Sequence, residues 1–193
     1  EREKIPQLLA RLAAGDLVAL VSDAGTPGVS DPGYRLVRAA LDSGVRVDVI
    51  PGPSAVLAAL VASGLSTSTF RFAGFPPSKA RARDAWLQAL SDIAETTVFF
   101  EAPHRVLGTL TAAARVLGDR PIAVCRELTK AHESVVRGRL PEIVGRLDAP
   151  RGEYTIVLGP ADKQPQVEVS LPSDSRLLDE FRHGARRLIP HRG

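Results

Sequence analysis

The run Val18-Ala-Leu-Val-Ser-Asp-Ala-Gly-Thr-Pro-Gly-Val-Ser-Asp-Pro-Gly33, answered one βα unit later by Val49-Ile-Pro-Gly-Pro-Ser54, decides the fold class. Leu17 to Val21 is a short apolar run with the pattern of a buried strand. Ser22 to Gly33 is too rich in Gly, Pro, Ser and Asp to continue it. A helix is predicted from Tyr34. Small residues at the carboxyl end of a buried strand let the backbone approach a ligand closely, and in open α/β sheets ligands bind at that end. The chain thus carries one binding loop early and a second in the matching place after the next strand.

Working outward, Ile5, Leu8, Leu9 and Leu12 recur at helical spacing, with Gly15 as a stop. Strand 17–22, helix 34–43, strand 46–50 and helix 54–63 follow. Gly44 fits a helix C-terminal cap and Ser54 an N-cap. This alternation argues a parallel sheet covered by helices. From Gly64 to Thr69 the composition shifts to Gly, Ser and Thr, which reads as a connection between lobes. Beyond it are predicted strand 69–73, a kinked Gly74-Phe-Pro-Pro77, a basic helix 79–90, strand 96–101, helix 105–116, strand 122–126, a short strand 133–137, helix 140–147 and strand 154–158. The expected organisation is an α/β N-terminal lobe over 1–67, lacking its first strands, a mixed α+β lobe over 68–162, and a polar, basic, disordered tail over 163–193.

The 193 residues are 44% hydrophobic and 24% charged, as in an ordinary folded protein. The longest apolar runs, such as Ala55 to Ala62, are far too short to span a bilayer. No signal-peptide pattern is visible. The single cysteine, Cys125, permits no internal disulfide and no multi-cysteine zinc site; a cytoplasmic protein without a metal is expected, and Cys125 reads as a buried small hydrophobe. The net charge of +3 decides little about nucleic acid. Only four of the 25 basic residues are Lys; Arg suits bidentate phosphate contact, but the same bias follows from a GC-rich genome.

The first loop is neither a Walker loop, since no Gly-Lys-Ser/Thr follows, nor a dinucleotide G-x-G-x-x-G. Both absences disfavour a phosphate ligand and favour a neutral or cationic one. The loop alone also fits a tight βα turn without any ligand.

A resemblance sharpens this. Ser22 to Gly33, Pro51-Gly-Pro-Ser-Ala55, Gly74-Phe-Pro-Pro77, Phe99-Phe-Glu-Ala-Pro-His-Arg105 and Arg126-Glu-Leu-Thr-Lys130 resemble, in order and spacing from about Ile5 to Ala161, the ribosomal RNA small subunit methyltransferase I family of the tetrapyrrole methylase superfamily. The resemblance implies a two-lobed fold with S-adenosylmethionine between the lobes, and 2′-O-methylation of a cytidine in the small-subunit (16S) rRNA. It also implies a homodimer acting on the rRNA or ribosomal subunit. Adenosylmethionine carries a sulfonium and no phosphate, which agrees with the loop chemistry. The family has further strands upstream and a longer C-terminal extension that this sequence does not match. Rival readings are a tetrapyrrole or corrinoid methyltransferase, and a non-catalytic RNA-binding fragment.

On this resemblance Ala24, Gly25, Thr26 and Val29 wrap the cofactor, Ser54 and Ala55 close the pocket, and Phe100, Lys130 and Tyr154 complete the adenosine site. Ser54 also reads as a plain helix cap. Methyl transfer to a hydroxyl is a displacement in which alignment does much of the work, and the hydroxyl must lose its proton. Glu101, His104 and Glu127 are the candidate bases. His104 equally reads as a helix N-terminal residue, and Glu127 as a partner of Arg126 or Lys130. Lys79, Arg81, Arg83, Arg105 and Arg126 are the candidate RNA contacts, with a solvated helix face as the alternative for the first three. Trp86 reads as core.

Overall fold

Five strands form one mixed sheet in the order β1-β2-β5-β3-β4: β1 (Phe70–Phe72), β2 (Thr96–Glu101), β3 (Pro121–Arg126), β4 (Ser134–Arg139) and β5 (Tyr154–Leu158). The computed structural model describes residues 2–23, 25–147 and 151–161, all within a unit spanning residues 1–163. The expected tail over 163–193 lies outside the described residues. Only β1 and β2 run parallel; β5 lies antiparallel between β2 and β3, and β3 pairs β4 antiparallel. Glu101 and Arg126 both stand opposite Tyr154, so the carboxyl ends of β2 and β3 flank the start of β5.

Alternate residues of these strands face two separate cores, as a period of two requires. On one face Phe99, Ile122, Val124, Ile156 and Leu158 pack against α4 (Ala80–Gln88), α5 (Pro103–Leu117) and α6 (Leu140–Val144). Trp86 packs here, its ring T-shaped on Phe99 at 5.3 Å, as a core residue. On the other face Val98, Ala123, Cys125 and Val157 pack against α3 (Ala55–Ser63) through Val56, Ala59 and Leu60. Ala123 and Cys125 on β3 let α3 lie close. Burial pushes the Cys125 thiol up to about 11, so it stays protonated and unreactive.

Ser54 is the N-cap of α3, its hydroxyl accepting from the Leu57 N–H, and Gly64 ends the helix with a left-handed φ of 72°. Helices α1 (Ile5–Ala13) and α2 (Tyr34–Asp42) pack on one another. The segments 17–22 and 46–50 correct the expectation of a parallel N-terminal sheet: both lack regular structure, and neither is a strand of the described sheet. Leu17 and Ile50 are 99% and 89% exposed. An apolar run becomes a strand only when a neighbour takes its N–H and C=O groups. No described helix is long and apolar enough to cross a membrane.

Candidate functional site

A cavity of about 690 Å³ opens where the carboxyl end of β2 and the start of β5 meet the loop after residue 20 and the N-terminus of α3. Its wall includes Gly25, Thr26, Val29, Ser54, Ala55, Phe100, Glu101 and Tyr154, all nominated from sequence. Ala24 lies outside the described residues. The loop is shaped by left-handed residues: Gly25 (φ 72°), Gly28 (φ 83°) and Ser30 (φ 58°). A serine in that region stores strain, a feature that clusters at ligand sites. Gly33 takes a φ of 131°, which L side chains rarely adopt, and a Cβ there would also push on the Leu20 methyl at 2.6 Å, so glycine suits the start of α2 beside the cavity.

The wall also contains residues that sequence reasoning did not nominate: Asp23, Asp31, Phe75 and Glu153. Asp23 and Asp31 stood in plain view within the quoted loop, whereas nothing local placed Phe75 or Glu153 beside it. Together with Glu101 the described lining holds four carboxylates and neither Lys nor Arg. Arg105 pairs with Glu101 and Lys130 with Glu153 from behind the wall, so its negative charge rests on Asp23 and Asp31, which favours a cation over a phosphate.

The candidate bases occupy three different settings. Glu101 is 2% exposed with both oxygens engaged: Thr109 donates its hydroxyl at 2.5 Å, the Ala102 N–H donates at 2.8 Å, and the Arg105 guanidinium lies 3.3 Å away. His104 is exposed in the first turn of α5, outside the lining. Glu127 also lies outside it, at a left-handed φ of 49°, and accepts from the Glu153 N–H at 2.8 Å and from Lys130 at 3.1 Å. Those two donors, the backbone one first, hold its carboxyl below the usual glutamate range. Lys130 does not line the cavity; it bridges Glu127 and the lining residue Glu153, which raises its own pKa.

The basic candidates separate likewise. Lys79 and Arg81 are exposed, and Arg83 is half-buried. Arg126 is half-buried at the end of β3. Arg105 turns inward and donates to the Pro76 and Pro77 carbonyls at 2.7 and 3.1 Å. Arg120 and Arg137 donate to main-chain carbonyls in the same way, to Leu90 and Gly159 and to Ala62 respectively. Part of the arginine bias is therefore architectural. Among the described residues no group of three or more His, Cys, Asp or Glu is placed to hold a metal.

Comparison with known proteins places this geometry in a family. The chain is 49% identical over 172 residues to "Ribosomal RNA small subunit methyltransferase I" of Mycobacterium bovis, an alignment covering 88% of the chain and 60% of that protein. The chain therefore spans well under two thirds of this relative's length. The crystal structure of the methyltransferase CobJ superposes with a TM-score of 0.61 at 20% identity, over 84% of this chain and 72% of that one. Uroporphyrin-III C-methyltransferase from Thermus thermophilus, complexed with S-adenosylhomocysteine, gives 0.55 at 22% identity, over 80% and 72%. At such identity these two speak for the fold alone. The family model for tetrapyrrole (corrin/porphyrin) methylases matches residues 1–144, and the chain belongs to that family.

Proposed function

We propose that this protein is an S-adenosylmethionine-dependent methyltransferase acting on the 2′-hydroxyl of a cytidine in small-subunit (16S) rRNA. The observation that carries the cofactor is that the described lining includes four carboxylates, of which Asp23 and Asp31 have no described ion pair, and neither Lys nor Arg, which fits a ligand bearing a sulfonium and an ammonium. The volume is in the range of small-molecule sites. The substrate class rests on the name of the M. bovis relative. A porphyrin or corrin acceptor, with its own carboxylates, would meet the same acidic wall. The reading carries with it a cytoplasmic, dimeric enzyme whose two lobes, 1–67 and 68–162, flank the cavity.

When bound, the cofactor supplies a methyl group activated for displacement. Gly25, Thr26 and Val29 would hold it through backbone and small side chains. The Ala55 and Val56 N–H groups, ahead of the Leu57 N–H that Ser54 caps, begin α3 at the cavity wall and suit its carboxylate. Phe100 and Tyr154 supply apolar wall. Glu101, its oxygens already occupied, positions the first turn of α5 and Arg105. Of the remaining carboxylates, Asp23, Asp31 and Glu153 line the cavity where a hydroxyl proton can be accepted. The chain's main catalytic contribution is alignment in the cleft.

The test is calorimetric titration with S-adenosylhomocysteine of the wild type and of Gly25→Arg, a bulky cation placed on the cavity wall where a Cβ would meet nothing within 4 Å. One-site binding lost in a folded Gly25→Arg variant is expected, with methyl transfer from labelled cofactor to small ribosomal subunits as the second readout. Undiminished binding by Gly25→Arg would place the cofactor elsewhere.

A further inference from the structure

Resting on the RNA reading above, we infer that Phe75 is a stacking platform at the cavity mouth for the base of the nucleotide being methylated. Phe75 lines the cavity yet is 51% exposed. Its ring leans on Phe100 at 5.6 Å and 58°, and Phe100 in turn meets Phe72 at 4.9 Å and 64°. One side of the ring is thus braced from the sheet while the rest stays open.

The loop that carries it is held on both sides of the exposed ring. The Ala73 N–H donates to Val98 and the Phe100 N–H donates to Gly74, each at 2.8 Å, which fastens the residues before Phe75 to β2. Arg105 fastens the Pro76 and Pro77 carbonyls after it, and buried Glu101 holds Arg105. Gly74 makes the bend with a φ of 66°. A floppy loop would let so large an apolar ring fold inward; this one presents it.

Charge supplies the occupant. Among the described residues the cavity wall includes neither Lys nor Arg, whereas exposed Lys79 and Arg81 begin four residues after Phe75, no more than about 14 Å along the chain for Lys79. Phosphates stay outside with the basic pair, the ribose enters the acidic cavity, and the unstacked base lies on the ring between them. An enzyme that works on one nucleotide takes it out of its stack, and aromatic side chains receive bases in this way. Every base has a π-face, so the platform holds without choosing the sequence.

The experiment compares wild type, Phe75→Ala and Phe75→Trp for S-adenosylhomocysteine affinity, for KM towards small-subunit rRNA, and for quenching of a single 2-aminopurine in a short single-stranded RNA. Phe75→Ala is expected to raise the RNA dissociation constant and KM by about 10- to 100-fold and to abolish the quench. Cofactor affinity stays within about twofold, and Phe75→Trp restores the RNA readouts. A loss of cofactor affinity in Phe75→Ala with RNA binding intact would assign the ring to the adenine and overturn the inference. So would unchanged RNA readouts. A wild type that binds cofactor but never quenches the probe defeats the platform alone; one that binds neither defeats the methyltransferase reading as well.

Discussion

Replacing Thr109 with Val removes one hydroxyl and keeps the shape of the side chain, deep in the interface between β2 and α5. That hydroxyl donates at 2.5 Å to Oε2 of Glu101, and both residues are buried, at 0% and 2% exposed. Hydrogen bonds to charged groups contribute roughly 1.5–3 kcal/mol, and the methyl gained in exchange recovers only a fraction of that. The expected loss is about 2 kcal/mol, which for a domain of this size lowers the melting temperature by about 4–8 °C. Thermal unfolding followed by circular dichroism reads it directly. The sharper reading comes from repeating the substitution in a Glu101→Gln background, where the acceptor has lost its charge. There the cost of Thr109→Val should fall by at least ~1 kcal/mol. An equal cost in both backgrounds would refute the reasoning, because the hydroxyl would then be stabilising something other than the carboxylate.

Two further outcomes follow from the loop beside the cavity. Gly152 has a φ of 84°, and a Cβ there would meet the Glu127 side chain at 2.6 Å, so Gly152→Ala should destabilise by about 2–3 kcal/mol; adding Glu127→Ala should return the steric share and leave the left-handed cost of about 1 kcal/mol, as denaturant titration will show. Glu127 has its pKa lowered by the Glu153 N–H and by Lys130, so its contribution is complete above the ordinary glutamate value of 4.5 and is lost as pH falls through the lowered one. The stability difference between wild type and Glu127→Gln should therefore be constant near neutrality and shrink on acidification; a difference that grows instead would reverse the assigned sign.

Much of the second half of the chain was legible because its strands are apolar on both faces and bounded by turns. Thr96–Glu101 and Tyr154–Leu158 form where the pattern placed them, and Ser54 caps its helix as its position after Pro-Gly-Pro indicated. The segments 17–22 and 46–50 carry the same local pattern without forming strands, since pairing depends on a neighbour and a local pattern does not report one. Strand order was equally invisible: nothing in residues 154–158 announces that they enter between β2 and β3. At the site, the small residues of the two loops were readable as lining. The inward turn of Arg105 was not, because it depends on carbonyls 28 and 29 residues earlier. Glu101 shows the limit most plainly, since burial, two hydrogen-bond donors and the Arg105 guanidinium set what a strand-end carboxylate does.

The position of β5 has a consequence for the order in which the protein takes shape during synthesis. Among the described residues it is the last strand made and the middle strand of the sheet. Until Tyr154 to Leu158 emerge, the nascent chain holds two separate hairpin-sized pieces, β1 with β2 and β3 with β4, whose inner edges face each other with unmet hydrogen-bonding groups. Chain release after Leu147 would leave both edges open, whereas release after Ala161 would close them in one event. The wall carrying Phe100 and Tyr154 is therefore completed at that single late step, and ligand-binding competence should arrive abruptly with it.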